Sequence, residues 1–120
     1  MELKNNGILL AIFVGVLMAA GQLLFKAGSK SISFESPLIL AQSLISSPII
    51  LTAISVYGLT ILLWILALQT LPLSTAYPIT ALAFIVVPAL SHFVFNEPYD
   101  LAKFVGGSFI FLGILITSIK

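Results

Sequence analysis

The sequence predicts an all-α integral membrane protein: a bundle of four transmembrane helices, with a short interfacial helix between the first and the second. Three observations carry this reading. Of 120 residues, 60% are hydrophobic and only 8% are charged, against roughly 25% charge in ordinary soluble domains. A soluble fold of this size cannot clothe its surface with so few charges, whereas a lipid solvent asks for none. Four apolar runs each approach or exceed the roughly 20 residues that a helix needs to cross the hydrocarbon core. The Lys, Asp and Glu side chains fall at the ends of those runs.

The first run covers about residues 7–25 and is interrupted only by Gln22. Nothing soluble follows it, so it reads as a span and not as a signal peptide. The other runs cover about 48–68, 73–95 and 101–119, and residues 1–120 read as a single transmembrane domain. Backbone groups in lipid must bond internally, which makes each run a helix. The runs are too long, and alternate too little, for barrel strands. In the first connection, Ser36-Pro37 looks like an N-cap followed by the first helical residue. The apolar residues Leu38 to Ile45, interspersed with Gln42, Ser43, Ser46 and Ser47, make a piece too short to span, hence interfacial or re-entrant. Ser46-Ser47-Pro48 separates it from the second span. Pro72 suits the start of the third span, and Asp100 suits the N-cap of the fourth. Lys26, Lys30 and Lys103 lie on one side, Lys4 and Lys120 on the other. Three against two sets no firm orientation under the positive-inside rule, and Lys26 belongs either to the loop or to the helix.

The composition excludes most chemistry. There is one His, no Cys and no carboxylate pair inside an apolar run, so neither an enzyme nor a metal or cofactor site is expected. A net charge of +1 offers nucleic acid no basic patch. Transport or a membrane-structural role remains. Glu2, Glu35, Glu97 and Asp100 all fall at interfaces, so the buried carboxylate of a typical proton-for-cation exchanger is missing.

The polar residues inside the spans are the candidate site. Gln22 and Lys26 share a helix face four residues apart, and Lys30 continues it if the helix runs on. An amide and an ammonium near one membrane surface suit a phosphate or pyrophosphate; the alternative is a snorkelling anchor. Tyr57, Thr60 and Trp64 share one face of the second span. They line a cavity for a sugar or an isoprenoid chain, or else serve as interface aromatics and packing hydroxyls. The third span carries Tyr77, Thr80, Ser91 and His92, and Pro78 and Pro88 interrupt its hydrogen-bond ladder. His92 is either a group titrating near neutrality or a water-facing residue at the helix end. Gly106 and Gly113 on the fourth span, and Ala11, Gly15 and Ala19 on the first, are small-residue stripes that let backbones approach. One stripe is expected to pack within the chain and the other, through Gly106 and Gly113, between chains. Four short spans hardly enclose a path for a polar headgroup; eight do.

These features resemble the small multidrug resistance proteins and their EamA-like relatives in the drug/metabolite transporter superfamily, over nearly the whole chain. The likeness sits in Gly21 to Lys26, Leu71-Pro72-Leu73-Ser74-Thr75-Ala76-Tyr77, Phe95-Asn96-Glu97-Pro98 and the Gly106 to Gly113 spacing. Multidrug members carry an essential glutamate in the first helix, where this chain has Met18. Pro78, Ala81 and Ala83 stand where that family has bending glycines. Ala76-Tyr77-Pro78 and Glu97-Pro98 are more similar to the aminoarabinose–undecaprenyl phosphate flippase subunits, which lack the glutamate. That resemblance implies a transporter subunit flipping an undecaprenyl-phosphate-linked sugar across the bacterial inner membrane, as a homodimer or as a heterodimer with a similar small subunit. Moving such a lipid calls for a cation near one surface and a cavity with hydroxyls and aromatics: Lys26 is expected to hold the phosphate with Gln22 donating to it, Tyr57, Trp64 and Tyr77 to line the headgroup path, and Thr60 to complete the substrate-binding residues. The alternatives are an exporter of small organic cations or polyamines and a non-transporting membrane subunit.

Overall fold

The computed structural model describes residues 2–119, with the side chains of 2–4 left aside. Lys120 and the Lys4 side chain, both counted in the orientation argument, therefore lie outside the described residues. Six helices account for the described secondary structure: α1 (Glu2–Ser29), α2 (Pro37–Ser46), α3 (Pro48–Leu68), α4 (Leu73–Thr80), α5 (Ala83–Phe95) and α6 (Leu101–Ser118). Four stretches are long and apolar enough to cross a membrane: Asn5–Ser29, Pro48–Leu68, Leu73–Phe95 and Leu101–Ser118. The protein is a multi-pass membrane protein, with the short α2 between its first two spans.

The two predicted caps, Ser36 and Asp100, form, and Ser47 caps α3 as well. The Ser36 hydroxyl accepts from the Ile39 N–H at 3.2 Å to start α2. The Ser47 hydroxyl accepts from the Ile50 N–H at 3.3 Å to start α3. The Asp100 carboxylate accepts from the Lys103 N–H at 3.1 Å to start α6. Each satisfies a donor that the first turn leaves orphaned. Pro72 sits one position earlier than a first helical residue, as the N-cap of α4.

Two boundaries differ from the sequence reading. The first helix continues past Phe25 to Ser29, so Lys26 is helical and occupies the last turn, where a cation complements the exposed carbonyls. The third run is two helices within one span, and the break falls at Ala81–Leu82 rather than at either proline. Pro78 has no N–H to return to the preceding turn. The Thr80 hydroxyl then donates to the Tyr77 carbonyl at 2.6 Å, taking the acceptor that an α-helical Ala81 N–H would use. The Ala81 N–H bonds the Pro78 carbonyl at 3.0 Å and the Leu82 N–H bonds the Ile79 carbonyl at 3.1 Å. This tightened turn re-aims α5 relative to α4.

α1 is the central helix and packs against α3, α4 and α5; α6 packs on α4 and α5, and α2 on α3. Lipid supplies no hydrophobic drive between helices, so close approach depends on small side chains. Ala11, Ala19, Ala53, Ala67 and Ala76 are almost wholly buried. Gly15 lies 3.5 Å, measured from where its Cβ would be, from the Thr80 backbone, which seats α1 directly against the break. The Ala11, Gly15 and Ala19 stripe thus packs within the chain. The molecule is a slab of 50 × 36 × 20 Å. Its accessible surface is 7879 Å², whereas a soluble monomer of this mass exposes about 6,300 Å². Much of that surface is apolar, as at Leu9, Phe13, Leu62, Phe93 and Phe109, and is suited to a hydrocarbon solvent.

Candidate functional site

α1 presents Val14, Met18 and Gln22 along one stripe, four residues apart, which is one helical face. Opposite stand Tyr57, Thr60, Ile61 and Trp64 of α3, and Tyr77 to Pro88 around the α4–α5 break. Two adjoining cavities open between these walls. The larger, about 500 Å³, is lined by Met18, Gln22, Tyr77, Thr80, Phe84 and Pro88, among others. The smaller, about 190 Å³, is lined by Val14, Met18, Tyr57, Thr60, Trp64 and Tyr77, among others. Met18, Tyr77 and Thr80 border both. Five of the six residues singled out in the sequence as substrate-binding therefore face one divided space, and the sixth, Lys26, does not.

The inner walls are held by specific contacts. The Gln22 amide donates to the Tyr57 hydroxyl at 2.6 Å, and that hydroxyl points to the Met18 carbonyl at 3.4 Å. The Tyr57 ring lies flat enough against α1 that a Cβ on Gly21 would overlap it, so glycine is required for this approach. The Phe25 ring, one turn along α1, also meets the Tyr57 ring, tilted by 39° with 5.2 Å between centroids. Trp64 meets Tyr77 edge to face at 6.4 Å. The Thr60 hydroxyl donates to the Val56 carbonyl at 2.8 Å, as Thr80 does to Tyr77. The Tyr57, Thr60 and Thr80 hydroxyls thus already give their protons to the protein's own backbone, and the Tyr77 hydroxyl is the lining hydroxyl left without such a bond. A polar guest group that left water for this space without a partner would cost about 1–3 kcal/mol. Neither cavity is lined by a charged side chain.

The charges gather beyond the end of the cleft. Lys26 lies one turn past Gln22, and its ammonium is 3.8 Å from the Glu97 carboxylate, with both side chains about half exposed. Glu97 is presented by a turn that backbone and side-chain bonds hold. Asn96 adopts the left-handed conformation, φ 56°, which Asn tolerates better than most residues. The Glu97 N–H then reaches back to the Ser91 carbonyl at 3.4 Å. The His92 Nδ1 is 2.7 Å from the Glu97 carbonyl oxygen, and the Lys103 ammonium donates to the Pro98 carbonyl at 2.7 Å. Lys30 sits over the Phe95 ring, 5.8 Å from its centroid. His92 is exposed and borders neither cavity. Gly106 and Gly113 lie on the exposed face of α6 with no atom within 4 Å of a would-be Cβ.

Sequence reasoning missed two participants. Glu97 reads in sequence as an interfacial acid within a family-like turn and not as a partner of Lys26, although the two share a membrane side, and that shared side was the available signal. Met18 was marked by what it lacks, a carboxylate, and not by its place where the two cavities meet.

Comparison with known proteins follows the same direction. The sequence profile of the EamA-like transporter family matches residues 34–119. A Serratia proteamaculans protein, named a probable 4-amino-4-deoxy-L-arabinose-phosphoundecaprenol flippase subunit ArnE, is 35% identical over 114 residues, which is 95% of this chain and 96% of that one. The Yersinia pestis protein of the same name is 33% identical over 113 residues, covering 94% and 96%. That of Proteus mirabilis is 39% identical over 71 residues, covering 59% and 63%. No solved structure matches the chain significantly.

Proposed function

We propose a specific cargo for this chain, which belongs to the EamA-like transporter family: an undecaprenyl-phosphate-linked sugar, moved across the bacterial inner membrane. The protein is a membrane transporter subunit of the flippase kind, not an enzyme. The relatives that it matches along nearly its full length are named for an arabinose-derived phosphoundecaprenol.

The observation that carries the cargo assignment is a cation, Lys26, just past the end of an apolar cleft that no charged side chain lines. A lipid-linked sugar brings a phosphate, a polar headgroup and a long hydrocarbon chain, and crossing requires that the first two pass while most of the third stays in lipid. Lys26 offers the phosphate a point charge, and Gln22, one turn inward, offers an amide donor. Tyr57, Thr60, Trp64 and Tyr77 line the space beside them. The tightened turn at Ala81–Leu82 gives the third span a place to bend and admit a lipid sideways. Glu97 is paired with Lys26, so phosphate binding exchanges one anion for another. An organic cation finds no such complement, because Met18 stands at the meeting point of the cavities and no carboxylate lines them.

The functional unit of this proposal is a dimer, with a second copy or a similar small subunit, because four spans in a 20 Å slab form only one wall of a path. The open face of α6 at Gly106 and Gly113 suits close backbone approach by the partner. The test is translocation of a polyprenyl-phosphate sugar in proteoliposomes carrying the dimer, for wild type, Lys26→Ala and Lys26→Arg. Lys26→Ala is expected to slow translocation at least tenfold, with Lys26→Arg retaining part of the rate. Equal rates for wild type and Lys26→Ala would remove the phosphate role of Lys26. Export of organic cations with no movement of lipid would replace the cargo.

A further inference from the structure

We infer that the divided cavity between α1, α3 and the α4–α5 break receives the isoprenoid chain of the lipid, while its phosphate and sugar stay outside, at Lys26. The inference rests on the cargo proposed above and decides which part of that cargo enters the protein.

The chemistry of the walls makes the decision. A sugar carries several hydroxyls, each needing a partner on leaving water. Thr60 and Thr80 give their protons to the Val56 and Tyr77 carbonyls. The Tyr57 hydroxyl is engaged by Gln22 and lies against the Met18 carbonyl. What remains facing the space is mostly Val14, Met18, Ile61, Trp64, Phe84 and Val87, with the Tyr77 hydroxyl and the Gln22 carbonyl oxygen as its few free polar groups, which is surface for a hydrocarbon and too few partners for a sugar. A phosphate fares worse than a sugar there, since no cation lines either cavity. The nearest is Lys26, about 6 Å further along α1 by helical rise. Lipid geometry has the same polarity: charge at one end, branched hydrocarbon running inward from it.

Shape agrees. The larger volume lies within the range of sites that bind small molecules or parts of larger ones, so it takes several five-carbon units next to the phosphate and leaves the remainder of the chain in the bilayer. Ala81, Ala83, Pro78 and Pro88 keep its wall low at the helix break. Tyr77 and Phe84 line this cavity and are 69% and 70% exposed, so it opens on the side of a membrane span, where a chain can enter from lipid. Trp64, Tyr77 and Phe84 present ring surface to an unsaturated, methyl-branched chain.

Trp64 is the single tryptophan and borders the smaller cavity, so its fluorescence reports occupancy. The protein is placed in phosphatidylcholine nanodiscs, where acyl chains are in large excess as competitors. It is titrated with farnesyl and undecaprenyl phosphates, with the corresponding polyprenols, and with a water-soluble sugar 1-phosphate. The expected result is a saturable change in Trp64 emission with both polyprenyl phosphates and polyprenols and none with the sugar phosphate. Ala81→Phe and Val87→Phe, which fill the larger cavity from two positions, should each weaken phosphates and polyprenols alike by at least tenfold. Lys26→Ala should weaken the phosphates alone. A saturable response to the sugar phosphate with none to polyprenols overturns the inference. So does an emission that changes only with the protein-to-lipid ratio, which assigns the cavity to a second copy. If proteoliposomes carrying that protein still translocate the lipid-linked sugar, the cargo stands and only the placement of its chain falls. If they do not, and an organic cation moves Trp64 instead, both fall.

Discussion

Glu97 and Lys26 should respond to mutation in opposite directions, although they are partners. The two charges sit 3.8 Å apart and are 41% and 55% exposed, so their mutual attraction is that of a surface pair, worth about 0–1 kcal/mol after screening and side-chain entropy. A phosphate arriving at Lys26 must displace the Glu97 carboxylate. Glu97→Gln removes that competitor and keeps the turn's shape, because the turn is held by backbone bonds and by Lys103. The gain is bounded by the worth of the pair, so polyprenyl phosphate should bind up to about fivefold more tightly. Lys26→Ala instead removes a charge-assisted contact of about 1.5–3 kcal/mol, a loss of roughly ten- to 150-fold. In the double variant, the Glu97 substitution should have almost no effect, because nothing is left to compete for. Equilibrium binding to nanodisc-embedded protein at two salt concentrations measures all four species, and the Glu97→Gln gain should shrink at high salt. If Glu97→Gln weakens binding as Lys26→Ala does, Glu97 is part of the lipid site and the exchange argument is refuted.

Three further outcomes follow from the packing and the composition of the cleft. Gly21→Val should displace the Tyr57 ring and destabilise the bundle by about 1–3 kcal/mol in a mixed-micelle unfolding titration, whereas Tyr57→Phe, which deletes one interhelical hydrogen bond, should cost about 0.6 kcal/mol; equal effects would deny the steric account. Wild type should release no proton on binding a quaternary cation in weakly buffered detergent, while Met18→Glu should, because an apolar site holds the new carboxyl protonated until a cation arrives; proton release by wild type, tested beside His92→Ala, would reinstate a proton-linked exporter. Gly113→Leu should lower the dimer fraction measured by energy transfer in bilayers, and an unchanged fraction would remove the α6 face as the interface.

The spans, the short α2 and two helix caps were legible because each depends on neighbours in sequence. Hydropathy and length define a span, and Ser36 and Asp100 each act within three residues of where they stand. The cavity face of α3 was legible for the same reason: Tyr57, Thr60 and Trp64 obey helical spacing. What was not legible depends on competition or on distance. Pro78 marks a weakened turn, but the position of the break was settled by the Thr80 hydroxyl, which takes the Tyr77 carbonyl and shifts the next donors by one residue. Lys26 reads equally well as loop or helix until Glu97 is brought beside it from the other half of the chain. Gly21 reads as a generic small residue until the Tyr57 ring arrives against it. Pairing of this kind leaves no periodic trace in a single sequence.

The most direct measurement is to identify the lipid that the protein carries. Protein extracted from its native membrane as the intact assembly is analysed by mass spectrometry alongside the bulk lipid of that membrane. The account predicts a polyprenyl-phosphate-linked sugar strongly enriched over its abundance in the membrane, with the enrichment lost in Lys26→Ala. Retention of bulk phospholipids in their membrane proportions, for wild type and variant alike, would contradict it.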